Sequence, residues 1–360
     1  MASATAIDFA PLATPVTESE VQAWRAQARL SAALWASPQP GRVLGLVLLI
    51  PFLVIFAVVG FGFAARLGST GLNGGDALGS VLPLVFTLGI VALVAIGLIR
   101  GIGSTGRQWE LWARMDRFAT ANGLTFSPMD LNPAYPGEIF NQGEARFAID
   151  HLRSTTGRFF DLGNYRYTTG SGKNRSTHTW GFLAFNLDRK LPNMVLDSKA
   201  NNGIFGTNLP ATFDKHQILP LEGDFDEFFT LYCPKEYERD ALYVFTPDLM
   251  ALLIDEAAPF DVEIVDDWMF VYSSTAFRTG DANNYARLFR IIDTVGAKTL
   301  TQTDRYVDER VGNFAANIVA PQGARLKRGV SASAIILGVG FVALWLWGFL
   351  GDAIHTFFGI

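Results

Sequence analysis

Four histidines, one cysteine and a few acidic clusters are the residues of this 360-residue chain whose types could do chemistry. His151, His178, His216 and His355 form no pair at helical ligand spacing and no His-Glu-x-x-His run. A zinc site would therefore have to gather its ligands from separate strands. Glu222-Gly-Asp-Phe-Asp-Glu227 is acidic enough to suggest calcium, but Phe225 stands where an EF-hand loop needs an oxygen. The segment reads better as a capped helix start on a solvated face. Gly101-Ile-Gly-Ser-Thr-Gly106 has neither the Gly-Lys-Ser/Thr ending nor the preceding strand of a phosphate loop, and reads as a flexible linker. Cys233 lies between Tyr232 and Pro234, an apolar setting that raises a thiol pKa and disarms a nucleophile. Asp150 and His151 are neighbours on an alternating segment, so their side chains point to opposite faces and cannot form a dyad. No Gly-x-Ser-x-Gly elbow occurs, and Asp266-Asp267 suits a turn. No catalytic, cofactor-binding or metal-ligating residue is assigned, and no cofactor is expected.

The elements that would position such residues come next. Glu144–Asp150 alternates as a half-buried strand, with Phe147 and Ile149 on one face. Phe159–Thr168 and Thr177–Leu187 read as two longer strands joined through the polar tip Gly170–Ser176, the second apolar on both faces and so central. Phe225, Phe228, Phe229 and Tyr232 fall on one face of a short helix that Asp224 can cap. A helix is predicted over Glu236–Phe245, and another after Thr246-Pro-Asp248, which supplies a cap, a proline and a first-turn carboxylate. Val262–Tyr272 reads as a hairpin with Asp266-Asp267 at its tip, and Asp281–Val295 as a last amphipathic helix. The expected fold is an α+β domain over residues 107–328, a mainly antiparallel sheet with flanking helices.

Outside that domain the pattern changes. Val43–Ala65 and Ala77–Ile99 are runs of 23 residues without a charge, and Val330–Gly351 is a third charge-free run. At ~1.5 Å per residue each is long enough for a ~30 Å hydrocarbon core. Three transmembrane helices are therefore expected, at 43–65, 77–99 and 330–351. Arg25, Arg29 and Arg42 precede the first run, Arg100, Arg107, Arg114 and Arg117 follow the second, and Arg325, Lys327 and Arg328 precede the third. This bias predicts a multi-pass protein of the inner membrane, with N-terminus and main domain cytoplasmic and the tail 352–360 outside. Residues 1–16 read as disordered. Residues 17–36 begin with the capping box Thr17-Glu-Ser-Glu20 and carry Val21, Trp24, Ala28 and Trp35 along one side. They suggest an interfacial amphipathic helix, the alternative being a helix packed on protein. Trp109 and Trp112 are expected at headgroup depth.

Composition narrows the partners. The 222 residues from Arg107 to Arg328 hold 24 Lys and Arg against 29 Asp and Glu, the whole net charge of −5. That balance argues against nucleic acid. A single cysteine allows no intramolecular disulfide. The expected spans contain no ionisable residue, which disfavours transport.

The stretch Phe225-x-x-Phe228, Tyr232, Tyr237-Glu-Arg-Asp-Ala-Leu242 and Thr246-Pro-Asp-Leu-Met250 resembles an uncharacterised bacterial family of membrane-anchored proteins with an α/β domain of unknown function. The resemblance covers about a fifth of the chain, consists of packing residues, and implies membrane attachment without a known activity. The third apolar run departs from that pattern. These readings favour an integral membrane protein whose cytoplasmic domain is a protein-binding, scaffolding or regulatory module, with the lipid bilayer and a protein partner or a second copy as its neighbours. The expected contact features are the tip Lys173-Asn-Arg175 and the exposed part of the Phe/Tyr-rich region Phe225–Tyr237. The alternative is a membrane-bound, hydrolase-like enzyme whose site is assembled from separate strands around a histidine.

Overall fold

The computed structural model describes residues 7–31, 34–36, 40–70, 76–203, 206–312, 316–329 and 338–347. The chain divides into two compact units, Thr14–Met115 on the one hand and Met1–Ala13 with Asp116–Ile360 on the other. Helices α1 (Ala10–Ala13), α2 (Glu18–Leu30), α3 (Pro40–Thr70) and α4 (Asp76–Ala121) come first. Strands β1 (Leu124–Leu131), β2 (Glu144–Ser154), β3 (Phe160–Thr169) and β4 (Ser176–Ser198) follow. Then come α5 (Phe225–Phe228), β5 (Phe229–Tyr232), α6 (Glu238–Val244), α7 (Pro247–Leu252), β6 (Asp261–Ser273), α8 (Ala282–Ile291), α9 (Ala297–Thr303) and α10 (Pro321–Ala324).

The six strands make one antiparallel sheet in the order β1-β2-β3-β4-β5, with β6 also on β4. The 23-residue β4 holds it together. Residues Ser176–Phe185 pair with β3 and Val195–Ser198 with β5, while β6 runs along the opposite edge from Gly181 to Leu196. Its two-sided apolar pattern follows from that position. One side of the sheet covers a core of Phe140, Tyr165, Trp180, Phe182, Phe270 and Tyr272. On the other, α8 and α9 run through a π-helical join at Ile292–Gly296, whose Gly296 lies against the Phe185 ring where a Cβ would meet it at 3.1 Å.

Several expectations are corrected here. Val262–Tyr272 is no hairpin but part of the single strand β6. Asp266 takes a left-handed φ of 53° and makes a bulge, while pairing with β4 continues on both sides. The predicted helix of Phe225–Tyr232 is only the one-turn α5, since Phe229–Tyr232 pair with β4 as β5. Asp224 gives it no side-chain cap. The Gly101–Gly106 linker is helical, a continuous part of α4. Residues 7–13, expected to be disordered, are held in the sheet-containing unit. Asp8 N–H donates to Asn122 Oδ1 at 2.7 Å, Asn122 Nδ2 returns a bond to Asp8 O at 3.0 Å, and Phe9 stacks on Phe118.

In the unit Thr14–Met115, the predicted capping box is present: the Thr17 hydroxyl accepts from Glu20 N–H and the Glu20 carboxylate accepts from Thr17 N–H. Trp24 and Trp35 are stacked at 5.3 Å and pack against Trp109 and Trp112. The Trp-bearing face is thus used for packing within this unit, against the interfacial reading, and Trp109 is buried. The apolar runs at 43–65 and 77–99 fold within α3 and α4, which meet where Gly60 leaves room for Thr87, 3.3 Å from the place of a Cβ. Among the described residues, however, no helix is long and apolar enough to cross a membrane. α4 carries Arg107, Glu110, Arg114 and Arg117 in its second half. At the third run residues 338–347 are helical. The three transmembrane helices, the multi-pass inner-membrane location and the inside–outside assignment are therefore overturned. The remainder of 330–351, the turn residues 71–75 and the tail 352–360 lie outside the described residues.

Candidate functional site

The most ionisable cluster is built on β2 and β3. Pairing slips between Ile149 and Leu152, where Asp150 adopts a φ of 50° and His151 turns fully inside, opposite Gly163. A side chain at Gly163 would stand 2.4 Å from His151 Cβ, so glycine makes the space. His151 Nδ1 bonds Asp161 Oδ1 at 2.8 Å, and its Nε2 lies 3.5 Å from Asp130 Oδ2. Arg153 ties the two carboxylates together at 2.7 Å and 2.9 Å, and Tyr135 Oη donates to Asp161 at 2.6 Å. Burial opposes the charge on His151, but its bonds to Asp130 and Asp161 outweigh it and hold the pKa above the ordinary value. Burial likewise pushes Asp161 up, and His151 and Arg153 outweigh it and keep the group ionised. The His151 bond holds Asp130 far below the usual carboxylate range. The His151 imidazole and the Asp161 carboxylate are wholly buried, whereas Arg153 and Asp130 at the outer end of the network are about a third exposed. Asp150, on the outward side of the bulge, accepts from Thr279 Oγ1 at 2.8 Å.

The other predicted reactive residues are dispersed. His178 stacks on Tyr167 and bonds Thr169 at 2.9 Å. His216 is exposed on a short turn that Asp214 caps, and His355 lies outside the described residues. Cys233 is buried and its thiol is pushed up to about 12 by burial. Among the described residues no group of three or more His, Cys, Asp or Glu could hold a metal ion.

Three further buried carboxylates act as staples. Asp261 accepts from Ser198 N–H at 2.8 Å and Asn201 Nδ2 at 2.6 Å, holding the loop after β4. Glu263 accepts from Glu138 N–H, Tyr272 Oη and Asn193 Nδ2. Burial lifts each of these two to about 7. Asp308 accepts from Tyr237 Oη at 2.6 Å and Ala320 N–H at 2.9 Å.

Two surface features remain. The first is the β3–β4 tip. Residues 170–177 are all exposed, in a turn that uses Gly170 at φ 75° and Gly172 at φ 56°. Lys173 and Arg175 make no ion pair among the described residues, and between Asp161 and Asp188 the chain has no Asp or Glu at all. The second is a cleft of about 590 Å³ between α6 and the Arg305–Arg310 segment, bordered by Arg239, Tyr243, Tyr306 and Arg310. Sequence reasoning missed it, because its residues come from segments some 60 positions apart and carry no motif. In the other expected contact region, Phe225, Phe229 and Tyr237 are buried core residues, which leaves Glu227, Lys235 and Glu236 as its exposed part.

No family model matches the chain, and no curated protein matches it. The expected family resemblance thus receives no family assignment. Among solved structures the chain has a distant likeness to the crystal structure of the mycobacterial trehalose monomycolate transport factor A, TtfA. The match has a TM-score of 0.34 and 11% identity, and covers 51% of this chain and 94% of that one.

Proposed function

We propose that this chain is a protein-binding module without catalytic activity, and that the β3–β4 tip is its contact point for an acidic surface on a partner protein. The observation that carries this reading is the tip itself. Lys173 and Arg175 stand exposed, without an ion pair among the described residues, at the end of two long paired strands, in a stretch free of acid, on a chain whose net charge is −5. Charge of one sign gathered at a protruding tip steers association with an opposite surface. Two cations fall short of a nucleic-acid footprint, where on the order of six to ten phosphate contacts are usual. The strand pairing below the tip, from Phe160 opposite Phe185 to Thr169 opposite Ser176, presents it on a rigid stem.

The test is affinity capture with the full chain and with Lys173→Glu/Arg175→Glu, followed by sedimentation of both purified proteins. The expected result is a partner captured by the wild type and lost with the variant, both proteins remaining folded. Capture that is the same with the variant contradicts the reading. So does recovery of the bait alone, or a partner replaced by a second copy of this chain.

A further inference from the structure

Independently of the tip, we propose that the cleft beside α6 is a binding site for a small phosphate monoester carried on a flat apolar body. The charges in the cleft fall into two classes. Arg310 is fully engaged: its guanidinium bonds Asp240 at 3.0 Å, Asp308 at 3.3 Å and the Glu236 carbonyl, and it lies 4.0 Å over the Tyr237 ring. Asp240 is engaged in turn, accepting from Tyr306 Oη at 2.8 Å. Together these groups form a rigid floor with its charges satisfied. Among the described residues Arg239 makes no ion pair and Arg305 reaches only Asp304, at 4.0 Å, with its side chain 91% exposed. These two arginines line the cleft as cations not spent on an ion pair of normal length among the described residues, with Glu309 as the acid of the lining beside the engaged Asp240.

The geometry of a guanidinium decides the anion. One planar fork saturates the two oxygens of a carboxylate, whereas two forks match a tetrahedral group with three oxygens and a double charge. The apolar wall decides the rest of the ligand. Tyr243 is 42% exposed, its ring 6.2 Å from the buried Tyr306 ring, and its carbonyl accepts from Gln302 Nε2 at 2.7 Å, which ties the end of α6 to α9. A flat group lying on Tyr243 would bring its phosphate toward the arginines. The volume lies within the range of small-molecule sites, ~300–1,000 Å³.

Titration of the full chain with phenyl phosphate, inorganic phosphate and benzoate, read by calorimetry, tests this. Phenyl phosphate is expected to bind with a Kd at or below about 1 mM, and the other two about tenfold more weakly. Arg239→Gln with Arg305→Gln should weaken phenyl phosphate by about tenfold or more, and Glu309→Gln should tighten it. Lys173→Glu/Arg175→Glu should leave it unchanged. Absence of saturable binding overturns the site, as does equal affinity in the double arginine variant or equal affinity for benzoate. A phosphotyrosine peptide is the last arm. Weaker binding than phenyl phosphate supports a free ester, and tighter binding assigns the site to a phosphorylated protein and overturns the small-molecule reading.

Discussion

At the scale of single residues, the buried charges Asp161, His151, Asp261, Glu263 and Asp308 are held by partners inside the fold. Asp161 holds His151, Arg153 and Tyr135 at once, so Asp161→Ala would strand the buried His151 Nδ1 and take one bond each from the part-buried Arg153 and Tyr135. A loss of about 3–5 kcal/mol in unfolding free energy by denaturant titration is expected, the usual cost of breaking a buried pair. The raised carboxyls set the pH dependence. Asp261 and Glu263 hold their protons to about 7 when folded, against about 4 in an unfolded chain. Stability they confer at acid pH is therefore lost as pH rises from ~4 to ~7. His151, with a raised pKa, acts in the same direction above its ordinary 6.5. Asp130 and Asp161, held low, matter only as pH falls below the ordinary carboxylate range. Tm should thus decline from pH 5 to pH 8, and Asp261→Asn with Glu263→Gln should flatten the decline; an unchanged slope contradicts this assignment. The sequence could show that Asp150 and His151 are not a dyad. It could not show that His151 meets Asp161, because the partner lies on another strand and a bulge sets the meeting.

At the scale of elements, alternation made β2 legible, two longer runs about a polar tip did so for β3 and the first half of β4, and the helical period did so for α8. The capping box marked α2, and Pro247 marked the start of α7, where Thr246 makes no side-chain cap. β1 was missed because Pro128 interrupts it, which an edge strand tolerates since one side of it needs no ladder bond. β6 was misread because Asp266-Asp267 looks like a turn when the continuous partner β4 is unseen. Two predictions belong here. Gly163→Ala would drive a methyl into the backbone of β2 at His151 and should cost about 1–3 kcal/mol by thermal or chemical unfolding. Asn122→Ala should remove both bonds to Asp8. Amide exchange of residues 7–13 is then expected to accelerate while that of β3 and β4 stays slow; continued protection of 7–13 would show that Phe9 alone holds the segment.

At the scale of the whole molecule, the α+β class was readable from the change of period along the chain, whereas the membrane reading was not sustained. Apolar runs say that a helix will bury or present an apolar surface; they do not say against what, and two of these runs fold as α3 and α4, in the unit that also packs four tryptophans together. The tip was legible because a polar Gly-rich segment between two strands has one natural place, outside the sheet. The cleft was not, because no local pattern joins Arg239 to Arg305. A binding role at the tip also predicts a salt dependence: partner capture should weaken as ionic strength shortens the Debye length from ~10 Å at 0.1 M toward ~3 Å at 1 M.

The most direct test of the account is site-specific photo-crosslinking in the native cell, with the photoreactive residue at Asn174 on the tip and, as control, at Glu222 away from it. A discrete adduct is expected from position 174 that disappears with Lys173→Glu/Arg175→Glu and is absent from position 222. No adduct at 174, or the same adduct with both charges reversed, would contradict it.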